Sequence, residues 1–534
     1  MKMKQVIPYL FWPISVLILL LSACQAAGKV SVPRGAQPGE LTLTPCTYKK
    51  HAAECGALVV PERRDKPDAR LIALPVVRIR ATGTAPAEPI FWLAGGPGMS
   101  NMSFTPPDYL LANHDVVLVG YRGVDGTSVL TCPEVSRVMR GVDGDALNAA
   151  SLARVTQAMQ TCAARLETAG VGLEGYTMTE VIADLEAARV ALGYPRINLL
   201  SESYGTRLAQ IYAYLHPESL LRSAMIGVNP PGRFVWEPEM IDAQLAHYAV
   251  LCAQDAACSV HTDDLAETLR NVTHAMPSRW LFFKIDPGKV RQMTFVMLYH
   301  RDTAAVIFDT YIAAANGDPS GLALMSLMYD MMMPGMFTWG DLLCKGGADY
   351  DPARDYAAEL DPPDAILGSP MGKMIWATAS HGWPITLLPD ALRQAQPTEV
   401  ATLLIGGSVD FSTPAEYARE ELLTFLKNGK QVIIAEAGHT GDFWKVQPKA
   451  GERLLTSFYD TGVADDSLYA YTPMVFKLDL GFPTIFKIAL LVVTALVGGV
   501  GVGVGFLIRR KRKQRQSCSD LSINAGTTGK LSQS

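Results

Sequence analysis

The segment Leu199 to Ala209, L-L-S-E-S-Y-G-T-R-L-A, sets a serine between an apolar run and a helical pattern. A serine hydroxyl is a weak nucleophile at its own pKa and becomes effective when a tight strand-to-helix turn holds it beside a base. Ser203 occupies that turn. The positions two before and two after it must be small, because strand and helix backbones pass closely there; Gly205 satisfies this, and Ser201 stands where a glycine is usual. The base in turn needs an acid that fixes its tautomer. Downstream, L-L-I-G-G-S-V-D-F-S-T-P puts Asp410 just past one apolar run, and V-I-I-A-E-A-G-H-T-G puts His439 just past the next. Serine, acid and histidine in that order predict a Ser203, Asp410, His439 triad. A helix-capping acid before Thr413 and a surface-loop histidine are the plainer explanations of the last two residues; three placements in order argue against them jointly.

A triad that attacks a carbonyl also needs N–H donors for the oxyanion it creates. The residue after the nucleophile supplies one, here Tyr204. The second is expected from the loop after the third strand, where F-W-L-A-G-G-P-G stands; Gly96 is the candidate, since Pro97 lacks an N–H and glycine allows close approach to a ligand. No metal or organic cofactor is required by this chemistry, and no set of Cys and His has zinc-finger spacing.

Positioning these groups calls for strands that end on one side of a sheet. Short apolar runs alternate with helical patterns, the rhythm of a mostly parallel, eight-stranded α/β sheet. Strands are expected near Ala57–Val60, Ile72–Arg80, Ile90–Leu93, Val116–Val119, Ile197–Leu200, Ala224–Val228, Ala401–Ile405 and Val432–Ala435, with an amphipathic helix over Thr179–Leu192. From 229 to 395 the strand rhythm fails. That segment is helical in pattern and rich in Met325, Met328, Met331, Met332, Met333, Met336, Phe337 and Trp339, so it is expected to form an inserted cap, with the methionines either lining substrate or filling the cap core. The core is then split into 41–228 and 396–463, with 24–40 a spacer and 464–487 a linker.

The 534 residues exceed one compact core, and 49% hydrophobic content is ordinary for globular protein. A net charge of -5 gives no reason to expect a nucleic-acid partner. Both ends carry membrane signals. Lys2 and Lys4 precede an uncharged apolar stretch, Val6 to Leu21, and the L-S-A-C ending at Cys24 has the form of a bacterial lipidation site, so 1–23 is expected to be a lipoprotein signal peptide. Ile488 to Ile508 contains no charge, and as a helix its 21 residues would reach about 31 Å, enough to cross a bilayer. Arg509, Arg510, Lys511, Arg512, Lys513 and Arg515 follow, which places the tail 509–534 in the cytoplasm and the body outside. The lipid bilayer is therefore an expected partner.

Apart from Cys24 and Cys518, seven cysteines remain: Cys46, Cys55, Cys132, Cys162, Cys252, Cys258 and Cys344. Export favours disulfides, although sequence does not fix connectivity. Nearest-neighbour pairing would join Cys46 to Cys55, Cys132 to Cys162 and Cys252 to Cys258, leaving Cys344 alone.

With these pieces together, from about Cys46 to about Trp444, the chain resembles the prolyl aminopeptidase and tripeptidyl aminopeptidase family of α/β-hydrolases. The matching pieces are C-G-A-L-V-V-P from Cys55, A-G-G-P-G from Ala94, Y-R-G-V-D-G-T-S from Tyr121, S-E-S-Y-G from Ser201, the C-x5-C of Cys252 and Cys258, and the Asp410 and His439 segments. Ala94, Gly120 and Ser201 depart from the family's usual His, Asp and Gly. The resemblance implies an α/β-hydrolase fold with a helical cap, and hydrolysis of peptides from the N-terminus. It also implies that cap carboxylates hold the substrate amine, for which Glu237 and Glu239 are candidates. An esterase or lipase with the same triad, and a non-catalytic envelope binding protein on the same fold, are the competing readings.

Overall fold

The computed structural model of the protein describes residues 30–525 except 143 and 479; within the terminal helix the side chains of 497–503, 505 and 513–525 are not described. The proposed signal peptide and Cys24 lie outside the described residues.

Among the described residues eleven strands form: β1 Leu41–Tyr48, β2 His51–Pro61, β3 Leu71–Ile79, β4 Ala87–Leu93, β5 His114–Val119, β6 Ile197–Glu202, β7 Leu220–Ile226, the two-residue pair β8 Arg279–Trp280 and β9 Phe283–Lys284, β10 Ala401–Gly407 and β11 Gly429–Ile434. Nine of them make one sheet in the order β1-β2-β3-β5-β4-β6-β7-β10-β11. The β1, β2, β3 and β5 pairings are antiparallel, and every pairing from β5 through β4 to β11 is parallel. The parallel strands read as unbroken apolar runs because both faces are covered; all six residues of β5 are buried. Each fully buried aliphatic side chain of this kind stabilises the fold by about 1.5–3 kcal/mol.

All eight expected strands are present, and the sheet has a ninth, β1. Its sequence LTLTPCTY carries Pro45, which argues against a strand in a sheet interior; as the edge strand β1 leaves one side unpaired and tolerates it. The Cys46–Cys55 disulfide ties β1 to β2, and Cys132–Cys162 and Cys252–Cys258 also form, while Cys344 is free and buried.

The helices that matter for the site are α1 Pro133–Arg140, α2 Ala149–Thr168, α3 Met178–Ala191, α4 Tyr204–Leu215, α5 Pro238–Gln254, α6 Leu265–His274, α7 Pro287–Met297, α8 Arg301–Ala315, α9 Ser320–Met332, α10 Trp339–Gly346, α11 Pro370–Gly382, α12 Thr440–Lys445, α13 Pro448–Thr461 and α14 Phe482–Ala525. Between β7 and β10 the chain builds α5 through α11 and only the β8–β9 hairpin. In this insertion Met325, Met333 and Trp339 are fully buried, so much of the methionine cluster is packing core; Met331 is exposed.

The segment after α13 is not a free tether. The Glu436 carboxylate accepts the Met474 N–H at 2.6 Å and the Tyr471 hydroxyl, and Met474 is buried. The expected membrane span falls within α14. Among the described residues no helix is long and apolar enough to cross a membrane, and part of the expected span, 497–503 and 505, lies outside the described side chains.

Candidate active site

Ser203 sits between β6 and α4 with φ 49° and ψ -120°. Side chains with a Cβ avoid positive φ, so this backbone is strained, and strain of this kind projects the residue from a sharp strand-to-helix turn. The turn is held from the neighbouring strand, where Ile226 O accepts the Ser203 N–H at 2.9 Å. Gly205 is required here: a Cβ on it would lie 2.2 Å from Leu93 O of β4. Ser201 is tolerated because its hydroxyl, fully buried, donates to Ala224 O at 3.2 Å. Ser203 is half-buried, so its hydroxyl can be reached.

Asp410 follows β10 and His439 follows β11, so both leave the same edge of the sheet as Ser203. Asp410 Oδ2 lies 2.8 Å from His439 Nδ1. Asp410 Oδ1 accepts the N–H groups of Ser412 and Thr413, each at 3.0 Å, and the Thr413 hydroxyl donates to Oδ2 at 2.7 Å. Asp410 is therefore at once a cap for its own loop and the partner of the histidine. With Nδ1 committed to Asp410, Nε2 is the nitrogen left to exchange a proton. Tyr299 O accepts the His439 N–H at 2.6 Å, and the two rings are 5.1 Å apart. On the other side of the ring is Gly227, where a Cβ would stand 2.9 Å from His439 Cε1. Gly227 follows Ile226, the residue that holds Ser203, which brings imidazole and elbow to one place. Burial lowers the His439 pKa, but the Asp410 carboxylate outweighs it, and the net displacement is upward.

The loop after β4 supplies the other wall. A Cβ on Gly95 would lie 3.2 Å from Ser203 Cβ, and Gly96 has φ 131°, accessible only to glycine. Tyr204 opens α4, where backbone N–H groups have no partner inside the helix. Asn101, which sequence reasoning missed, ties this loop down: it accepts the Ala94 N–H at 2.7 Å and donates to Trp92 O and Val119 O. Asp125 does the same for the neighbouring turn, accepting the N–H groups of Asn101 and Tyr121 at 2.9 and 2.8 Å. Gly120 has no room for the aspartate common in the family, since a Cβ would meet Pro75 and Asp125.

The two candidate amine ligands stand at the start of α5. Glu237 forms a bidentate pair with Arg354, at 2.8 and 3.0 Å, so its charge is already matched; Glu239 is exposed on the first turn of α5. The carboxylate next to the nucleophile is instead Glu202, which accepts from Trp444 Nε1. Burial raises its pKa against the opposing pull of Trp444 and His439. An aromatic series, Trp236, Phe295, Phe411 and Tyr299, packs ring to ring at 5.1, 4.8 and 5.7 Å and meets His439 through Tyr299; Phe295 and Phe411 are buried. Among the described residues no group of three His, Cys, Asp or Glu could hold a metal ion.

Residues 88–272 match the family model of the alpha/beta hydrolase fold. The chain has the α/β-hydrolase fold. Tripeptidyl aminopeptidase of Streptomyces coelicolor is 25% identical to this hydrolase over 447 residues, covering 76% of this chain and 80% of that protein. Serine protease Hip1 of Mycobacterium tuberculosis is 26% identical over 279 residues, covering 47% of this chain and 52% of that protein. Among solved structures, a serine hydrolase from Cycloclasticus zankles is 12% identical with a TM-score of 0.36, over 80% of this chain and 100% of that chain. The hydrolase carries a serine at its elbow and is a serine hydrolase.

Proposed function

We propose that this hydrolase is an exopeptidase, attached to the outer face of a bacterial membrane, that releases N-terminal residues or short peptides through an acyl-enzyme. The observation that carries the reading is the convergence of the strained Ser203 elbow with the Asp410–His439 pair on one sheet edge. Similarity to tripeptidyl aminopeptidases across most of the chain supports a peptide substrate. In this mechanism Ser203 Oγ bonds to the scissile carbonyl carbon while its proton passes to His439 Nε2. Asp410 stabilises the imidazolium, and the Tyr204 and Gly96 N–H groups receive the oxyanion. Collapse breaks the C–N bond, His439 returns the proton to the leaving amine, and water then attacks the acyl-enzyme by the same route.

Membrane attachment is supported by the signal-like N-terminus ending at Cys24 and by the charge-free stretch Ile488 to Ile508 ahead of the basic tail. It is also supported by the exposed hairpin tip, Leu281 and Phe282, beside the start of α14: the Phe282 and Phe283 rings are 4.4 Å apart, and Phe283 and Phe486 4.8 Å apart.

A second reading, an esterase with the same triad, is favoured by the pairing of Glu237 with Arg354, which leaves that carboxylate's charge already matched. Mass spectrometry of products from free and N-blocked peptide libraries, with short-chain esters alongside, separates the two. Release of N-terminal fragments from free peptides only supports the exopeptidase; cleavage of esters alone rejects it.

A further inference from the structure

Helix α10 carries Asp341 and Lys345 one turn apart, on one face, and both side chains are completely buried. Lys345 Nζ donates to Asp341 Oδ1 and, at 2.8 Å, to Arg122 O; it also stands 5.6 Å from the centre of the Tyr121 ring. Taking two charges out of water is costly, and two apolar side chains of similar size would stabilise such a seat as well or better. Stability alone therefore does not account for the pair.

What the pair provides is an acceptor. Asp341 Oδ2 receives the Gly98 N–H at 3.0 Å, and Gly98 O receives the Thr338 N–H at 2.8 Å, so residues at the start of α10 hold Gly98 by both of its backbone groups. The other end of this loop is held by the sheet domain, through the bonds of Ala94 to Asn101 and Tyr121. Gly95, whose position faces Ser203, and Gly96, the candidate oxyanion donor, lie between the two anchors. The contact at Gly98 is close: a Cβ there would meet Thr338 O at 3.0 Å and the Phe337 and Leu342 Cβ atoms at 3.2 Å. An oxyanion donor displaced by a few tenths of an ångström stabilises the transition state less, while ground-state binding is little affected.

We propose that Asp341, charge-matched by Lys345, is a positioning residue that sets the oxyanion loop from the inserted helical segment, so that catalytic power depends on how α10 is seated. The inference rests on the hydrolase reading of Ser203. It is tested with two double variants of the full chain. D341N/K345M removes both charges and keeps a carbonyl acceptor for Gly98; D341L/K345M removes the acceptor as well. The rate of Ser203 phosphonylation by a fluorophosphonate probe is measured for each, together with kcat and KM on whichever peptide or ester the wild type cleaves. The expected result is a 10- to 100-fold fall in kcat and in labelling rate for D341L/K345M, with KM within about 3-fold and an unchanged urea midpoint, and near-wild-type rates for D341N/K345M. Equal rates in two folded variants would overturn the proposal. G98A, which leaves Asp341 and Lys345 in place but forces a Cβ against Thr338 O at a φ of 81° that favours glycine, is expected to show the same fall in kcat; wild-type kcat in G98A would also overturn it. Absence of wild-type labelling at Ser203 would instead reject the hydrolase reading.

Discussion

Asp410 Oδ2 and His439 Nδ1 are 2.8 Å apart, with Asp410 buried to 1% and His439 to 6% exposure. A carboxylate this close and this dry favours the imidazolium, and so displaces the His439 pKa upward from its ordinary value of about 6.5. His439 must be neutral to accept the Ser203 proton. The kcat/KM profile is therefore expected to rise with pH through an apparent pKa above that ordinary value. D410N should lower kcat by about 10⁴-fold, since the histidine loses its fixed tautomer. For stability the sign is that of a raised base: the His439 contribution is complete below about pH 6.5 and is lost as pH rises through the folded value. An acid limb with its midpoint below pH 6 in the wild type would contradict this.

The elbow is expected to be asymmetric in its tolerance. G205A places a methyl group 2.2 Å from Leu93 O and should destabilise the fold by about 3 kcal/mol or prevent folding. S201G removes one buried hydroxyl bond and should change stability by no more than about 1 kcal/mol. Urea midpoints of the two variants measure the difference; equal midpoints would refute the close approach of α4 to β4.

Cys344 is buried and its thiol is pushed up to about 12 by that burial. It is expected to resist maleimide in the native protein and react once urea unfolds it. Opening Cys132–Cys162, which closes a separation of 30 residues, should cost about 3–4 kcal/mol. Rapid native labelling of Cys344 would show that α10 opens readily.

Leu281 and Phe282 bear on membrane attachment. In vesicles containing the full chain, a bimane at position 282 should be quenched by brominated lipid, whereas one at Val260, equally exposed at 73% against 74%, should not. A third probe at Val493 on α14 tests the helix itself. Quenching at 493 but not 282 would remove the hairpin from the bilayer, and quenching at neither would remove the membrane from the account.

The sheet was legible in sequence where strands are buried on both faces, because such strands read as continuous apolar runs; β1 was hidden by Pro45 and by its exposed edge. The candidate triad was legible because each of Ser203, Asp410 and His439 follows one of those runs. The supporting groups were not. Asp341 and Lys345, four residues apart, have the spacing of a solvated helical pair, and only the seating of α10 against Gly98 and Arg122 buries them. Glu237 read as a free acid because its partner Arg354 lies 117 residues away. The capping and catalytic explanations of Asp410 competed in sequence, and in the structure one carboxylate both caps its loop and meets His439, with a different oxygen for each.

On this reading Ser203 is the nucleophile. Peptide mapping by mass spectrometry after fluorophosphonate treatment tests it most directly. A single adduct on the Ser203 peptide is expected, lost in S203A together with about a million-fold of hydrolytic turnover while the variant keeps its fold. An adduct elsewhere, or hydrolysis retained by S203A, would contradict the account.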